Sequence, residues 1–431
     1  MALLVLFVVP TRYSIGPPGV RLNLTLILGF LALLTWICYF LFRRVETPTL
    51  NIPRLLLFAY LLNQLVAIAA AYRRNLTTPE QNGTYRELAA TIGLVGLSLI
   101  LCDGVRHISG LRRAMQLLLI GGYSSAAVGV VQRVFHYDYD TLWRNVPGLN
   151  FAVTTEEING LLSNRATGTG SHPIEFSVAC ACLVPIALNQ IKNASTPRAF
   201  FWHRVGIGLL LVGTLLGVSR AGFIGLVIAV LFSISRLELR QRFNAVAFGM
   251  FVLVFVQFGA HGTLSTLRYQ LLNIGSDQSS KGRTQDYGPV FDLVSHHLWT
   301  GIGAGTYLPR QFRFLDNAWL GTLVSGGIIA TTVLGLILVS GLYQSGWLRR
   351  RARDPYLAGL AAAVGVMLLI LTVCAYFFDE FSFVQTQTLT VITLGILGAI
   401  STLVEREGRT ATPNRFASDR AVAPAPRRRL G

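Results

Sequence analysis

The stretch FWHRVGIGLLLVGTLLGVSRAGFIGLVIAVLFSISR, residues 201–236, decides how the chain is read. Between Val205 and Ile234 it is almost free of charge, yet Arg220 stands in its middle. As one membrane helix it would hold a permanent charge at the bilayer centre, at about 2.5–3.5 kcal/mol. Arg204 before it and Arg236 after it both belong on the cytoplasmic side by the positive-inside rule. A segment that leaves one side and returns to it is a hairpin, turning near residues 217–222. Each arm then carries about 15 apolar residues, roughly 22 Å at 1.5 Å per residue. Arg220 falls at the outer tip, facing protein or water instead of hydrocarbon.

The rest of the chain agrees with that reading. Of 431 residues 52% are hydrophobic and 13% charged, against about 25% charged in soluble domains. Apolar runs long enough to cross a bilayer lie near 22–42, 54–72, 87–103, 113–135, 171–190, 203–218, 220–235, 244–260, 317–343, 356–377 and 383–404. With a short fragment at 2–10 they predict an all-α polytopic membrane protein of about twelve helices, residues 1–404. A basic, disordered cytoplasmic tail is predicted over 405–431. The net charge of +17 forms no single patch, which excludes a nucleic-acid face. Of the 37 basic residues, 23 cluster in one alternate set of segments, around Arg43, Arg106, Lys192, Arg236, the WLRRRARD loop and the tail. That set is cytoplasmic, as are both termini, in a plasma (inner) membrane. The five cysteines all fall inside apolar runs, so they read as helix packing, with neither a disulfide framework nor a metal site expected.

The opposite face carries the long connections 73–86, 136–170 and 261–316, and long loops on a rigid scaffold are where function concentrates. Four clusters meet there: NRATGTGSHP, 164–173, with Arg165 and His172; VSRAG with Arg220; KGRTQDYG, 281–288, with Lys281, Arg283 and Asp286; and FLDNAWL, 314–320, with Asp316 and Asn317. Arginines gathered at an outer pocket suit a phosphate or diphosphate, because guanidinium is always charged and binds bidentately. A neighbouring carboxylate suits a base for a hydroxyl acceptor. Together they describe transfer from a phosphate-activated donor. The blander readings stand beside these: His172 before Pro173 as a helix start, Asp316 as a helix cap, and Asp379 with Glu380 in FFDEF as a solvated turn. GIGAGT, 301–306, lacks the lysine and hydroxyl of a phosphate loop and follows no βα pattern.

At these residues the chain resembles the O-antigen ligase and O-antigen polymerase family. The resemblance spans about 165–335: Arg165 with Gly168 before HPIEFSVACACLVPIAL; SRAG, 219–222; GR, 282–283; HHLWTGIGAGTY, 296–307, similar to the family's PLxGxGxGxY; and DNAWLGTLVSGGIIATTVLG, 316–335, similar to its HNxxLxxLxxxGxxG. It implies a metal-independent, inverting glycosyl transfer, without a cofactor, on the outer face of the plasma membrane. The donor would be a glycan on undecaprenyl diphosphate and the acceptor a glycan or glycolipid. Arg220 and Arg283 would hold the diphosphate, and Arg165, His172, Lys281 and Asn317 would assist in binding. Asp316 stands where the family has a histidine base. Ligase and polymerase both remain open. A flippase for a lipid-linked sugar would share the helix count, but it calls for polar breaks deep within several spans and openings to both faces. Here the polar residues collect on one side.

Overall fold

The computed structural model describes residues 2–16, 22–42, 51–151, 165–234, 238–272, 278–308, 312 and 315–410, with the side chains of 278–286 and 409–410 outside the description. Fourteen α-helices are found among them: α1 (Ala2–Val8), α2 (Leu24–Phe42), α3 (Ile52–Ala71), α4 (Thr78–Gly104), α5 (Ile108–Val134), α6 (Pro173–Lys192), α7 (Pro197–Leu216), α8 (Arg220–Ile234), α9 (Leu239–Gly259), α10 (Thr263–Leu272), α11 (Gln278–Ser295), α12 (Ala318–Arg351), α13 (Pro355–Cys374) and α14 (Val384–Thr410). Ten are long and apolar enough to cross a membrane: α2 to α7, α9 and α12 to α14. The all-α polytopic class therefore holds. The expected count of about twelve becomes ten long helices plus the 15-residue α8 and the seven-residue α1, both too short to meet the same standard.

Helix boundaries follow local chemistry. Thr196 and Asp354 cap α7 and α13, each followed by proline in the first turn. Thr77 and Glu80 form a capping box that starts α4 nine residues before the apolar run near 87. The connection 261–316 holds α10 and α11, and α14 continues through residues 405–410. The remainder of the expected tail lies outside the described residues.

α14 is buried along its apolar length, and α6 and α13 are mostly so, whereas α2 and α9 are largely exposed along theirs. The first three form the centre, with α4 and α3 packed on α14, and α7 and α8 packed on α6. A two-stranded antiparallel pair, β1 (Tyr13–Ser14) with β2 (Asn150–Phe151), joins the N-terminal segment to the connection after α5.

The long helix α12 is broken at Gly327, whose φ of 66° and ψ of −163° are non-helical. The segment 298–303 docks into the break. Ile302 N and Gly303 N donate to Val324 O (2.8 Å) and Ser325 O (3.0 Å), while Ile328 N and Ile329 N donate to Leu298 O (3.0 Å) and Trp299 O (3.3 Å). A broken apolar helix is tolerated where its released backbone groups are satisfied in this way. The glycines of GIGAGT now have a physical reason: a Cβ on Gly301 would strike the Val324 carbonyl, and one on Gly303 would strike Ala71 of α3. They allow backbone to lie on backbone.

Candidate functional site

The hairpin expected over residues 205–234 is present, with α7 ending at Leu216 and α8 beginning at Arg220. Its turn is strained. Val218 takes a φ of 43° although it is β-branched and buried, a conformation that persists only when its surroundings impose it. Several contacts do so. Arg165 Nε donates to Gly217 O at 3.0 Å, and Ala166 N donates to Leu216 O at 3.0 Å. Below the turn, Ser177 Oγ of α6 donates to Thr214 O at 2.6 Å. A Cβ on Gly222 would overlap that same Ser177 hydroxyl, so α6 and α8 meet with no room to spare. Cys374 Sγ donates to Ala221 O at 3.2 Å, tying α13 to the first turn of α8.

Arg220 is the first residue of α8, half-buried, with Ser219 Oγ accepting from Gly222 N at 3.3 Å. A helix N-terminus carries partial positive charge, so guanidinium and macrodipole both favour an anion there. Arg165 lies on the same turn. Burial lowers its guanidinium to about 10, which leaves it charged at neutral pH.

The loop 165–170 that presents Arg165 is held from beneath by residues the sequence did not single out. Gln132 of α5 accepts from Thr167 N (3.2 Å) and Gly168 N (2.8 Å) and donates to Gly168 O (3.1 Å). Arg12, almost wholly buried, donates to Thr167 Oγ1 (3.2 Å) and Gly168 O (3.0 Å), and its Nε lies 2.9 Å from Asp140 Oδ1. Both members of that ion pair are shielded from solvent. Removing one partner of such a pair leaves an uncompensated charge, at about 3–5 kcal/mol. Arg12→Ala is therefore expected to lower the unfolding free energy in detergent by that amount. Arg12→Ala/Asp140→Ala should recover part of it, and equal losses in the single and double variants would refute the pairing.

His172 caps α6: its Nδ1 accepts from Ile174 N at 3.2 Å, and its ring centroid lies 5.5 Å from that of Phe383. Burial, with the Arg165 charge beside it, pushes the imidazole down to about 4. It is neutral at physiological pH, with Nε2 left as an N–H donor. Glu175, one turn into α6 and fully buried, accepts from Ser171 N (2.6 Å), Ser171 Oγ (2.9 Å) and Gln385 N (2.7 Å). It joins the starts of α6 and α14. An acidic residue in the first turn of an otherwise apolar helix is the signal that was there to find.

Across the same face, Ala318 N donates to Ala375 O (2.8 Å) and Phe378 O (3.2 Å), which docks the start of α12 on the connection between α13 and α14. The cap of α12 is Asn317, whose Oδ1 accepts from Trp319 N (2.9 Å) and Leu320 N (3.2 Å). The expected substrate-binding asparagine is thus buried and engaged in capping. Asp316, one residue earlier, is not the cap and is exposed. The turn at 379–380 is only partly solvated, with Asp379 half-exposed and Glu380 inside. Glu380 is fully buried, with Oε1 accepting from Thr390 at 3.3 Å. Asp379 accepts from Ser382 Oγ and lies against Gly321 of α12. Burial raises its carboxyl to about 6, and the charges of Glu87 and Asp316 push the same way, against the Ser382 hydrogen bond.

Lys281, Arg283 and Asp286 are on α11, but their side chains lie outside the described residues. Four positions after Arg283, Tyr287 Oη meets Tyr376 Oη at 3.4 Å, which sets α11 beside the segment carrying Asp379. Arg165, Arg220 and His172 are therefore gathered at one corner. Asp316 and Asp379 form a second, and Phe383, in contact with both His172 and Phe378, bridges them.

Compared with known proteins, residues 205–335 match a family model described as O-antigen ligase. The matched stretch runs from α7 through the hairpin turn, α11, the glycine segment and Asp316 into the second half of α12. No curated protein matches the chain. The match supports the O-antigen ligase family, surface-polysaccharide biosynthesis as the field of action, and glycosyl transfer with lipid-linked glycan and glycan acceptor as substrates in general. The ten apolar helices make the chain a multi-pass membrane protein.

Proposed function

We propose that the protein transfers a glycan from undecaprenyl diphosphate to a hydroxyl acceptor on the outer face of the plasma membrane, as a ligase or polymerase of surface polysaccharide. The observation that carries this reading is the strained turn at 217–219, which sets Arg220 on a helix N-terminus next to Arg165. Two guanidiniums and a helix dipole suit a diphosphate better than any neutral ligand. The lipid tail would lie along the apolar helices, with its diphosphate at the turn. Arg283 on α11 would close over it, with Lys281 nearby.

The reaction balances as a single displacement. The acceptor oxygen forms a bond to the sugar C1 as the bond from C1 to the diphosphate oxygen breaks, inverting C1. The diphosphate leaves on its lipid, its added charge met by the arginines, and the acceptor proton passes to a carboxylate. Asp316, exposed, receives it first. Asp379, whose carboxyl burial raises to about 6, would retain it. The two aspartates would share the work of the base, since the charge of Asp316 bears on Asp379.

Deleting the gene tests the reading. Lipid-linked glycan is expected to accumulate on the outer leaflet, with shortened surface glycan for a polymerase or unattached long glycan for a ligase. Accumulation on the cytoplasmic leaflet would identify a flippase instead and sink the proposal.

A further inference from the structure

Beside Asp316 the fold leaves a half-open cleft of about 560 Å³ between α11 and the residues Tyr307, Phe312 and Leu315. Its walls include Val290, Tyr307, Phe312 and Leu315, with Asp292 and His296 of α11 as its polar groups. Tyr307 and Phe312 stack at 4.8 Å between ring centroids with 15° between their planes. Leu315 immediately precedes Asp316, so the cleft and the carboxylate share one short piece of backbone. The floor is fixed, since Val290, Val294, Leu315, Leu320 and Val324 form one buried cluster joining α11 to the upper half of α12.

We propose that this cleft is the acceptor subsite and that its occupant is the terminal sugar of a glycan. The inference rests on the glycosyl-transfer reading and adds to it where the acceptor binds and by what chemistry. The volume falls in the range of about 300–1,000 Å³ typical of ligand pockets, which combine apolar walls with a few placed polar groups. A sugar ring has one face of C–H groups, which suits an aromatic wall, and a rim of hydroxyls. A carboxylate accepts from such hydroxyls, and an imidazole either accepts or donates. An acyl chain fits less well, because it offers no hydrogen-bonding group to Asp292 or His296. The half-open form admits the end of a chain and leaves the rest outside. A sugar seated there turns one hydroxyl toward Asp316.

The test reads binding without turnover, so it is separate from the deletion experiment. Purified full-length protein in micelles is examined by saturation-transfer NMR against D-glucose, D-galactose, L-rhamnose, N-acetylglucosamine and their common disaccharides. At least one sugar is expected to receive saturation at its ring C–H protons. Phe312→Ala and Asp292→Asn should each weaken that signal about fivefold, the scale of one lost contact. Phe312→Tyr should retain it, and Phe200→Ala, a distant exposed aromatic, should leave it unchanged. The proposal is overturned if no sugar in the panel responds, if the response survives both cleft variants, or if phospholipid acyl chains take the saturation instead. A wild-type protein that binds sugar in this way while gene deletion leaves every glycan unchanged would retain the subsite and discard the transfer reading.

Discussion

Arg220→Ala is expected to lower glycan transfer from a lipid-linked donor about 10²–10³-fold in proteoliposomes, the scale seen when one preorganised electrostatic partner of a developing charge is removed. The position explains the size. Arg220 opens α8, so its guanidinium and the helix dipole act on the same anion, and the surrounding turn is rigid enough to hold a β-branched residue at a φ of 43°. A side chain mounted on so fixed a turn needs little reorganisation as charge develops on the leaving diphosphate. Arg220→Lys should recover only part of the activity, since an ammonium keeps the charge but loses the planar fork. The loss should appear mainly in turnover, because the charge being met is greater in the transition state than in the bound donor. Full activity in Arg220→Ala, with the protein folded, would remove the diphosphate from this corner. Arg165→Ala is a different perturbation, since Arg165 also holds Gly217 O and its loss loosens the turn itself.

The hairpin was legible in the sequence because two flanking arginines and one between them left a single topology open. Helix positions were legible for the same reason that membrane topology usually is: lipid forces long apolar runs. What escaped was contact over long sequence separation. Arg12 supports the loop of Arg165 from more than 150 positions away, and nothing in TRYS marks a buried arginine. The break in α12 was hidden too, since GG in an apolar helix also reads as close packing. Only the docking of 298–303 shows it to be a backbone exchange. FFDEF reads as a solvated turn, which holds in part for Asp379 but not for Glu380, whose burial against α14 no local pattern marks. Asp316 and Asn317 were both marked, but which of the two caps the helix depends on where α12 begins, and boundaries of one residue are beyond pattern reading.

That one-residue difference sets up the second large effect. If Asn317 had been free and Asp316 the cap, the carboxylate would be occupied by backbone N–H groups and poorly placed as a base. With Asn317 capping, Asp316 is left exposed and its charge bears on Asp379. Asp379, raised to about 6, is protonated below that value and ionised above it. A base must be ionised, so transfer should rise with pH through a midpoint near 6 and level off by about pH 7. Asp316→Asn is expected to lower the rate by about 10²–10⁴, the usual worth of a positioned base. It also removes a like charge from beside Asp379, so the midpoint of the residual activity should move to lower pH. Asp316→Glu keeps that charge and should leave the midpoint near 6. Asp379→Asn should abolish the limb altogether, since its titrating group is gone. The measurement is the pH profile of initial rates from pH 5 to 8 in proteoliposomes. A flat wild-type profile, or an unchanged limb in Asp379→Asn, would exclude Asp379 as the group that retains the proton. A limb that stays at 6 in Asp316→Asn would show that the two carboxyls act apart, with Asp379 alone as the titrating group.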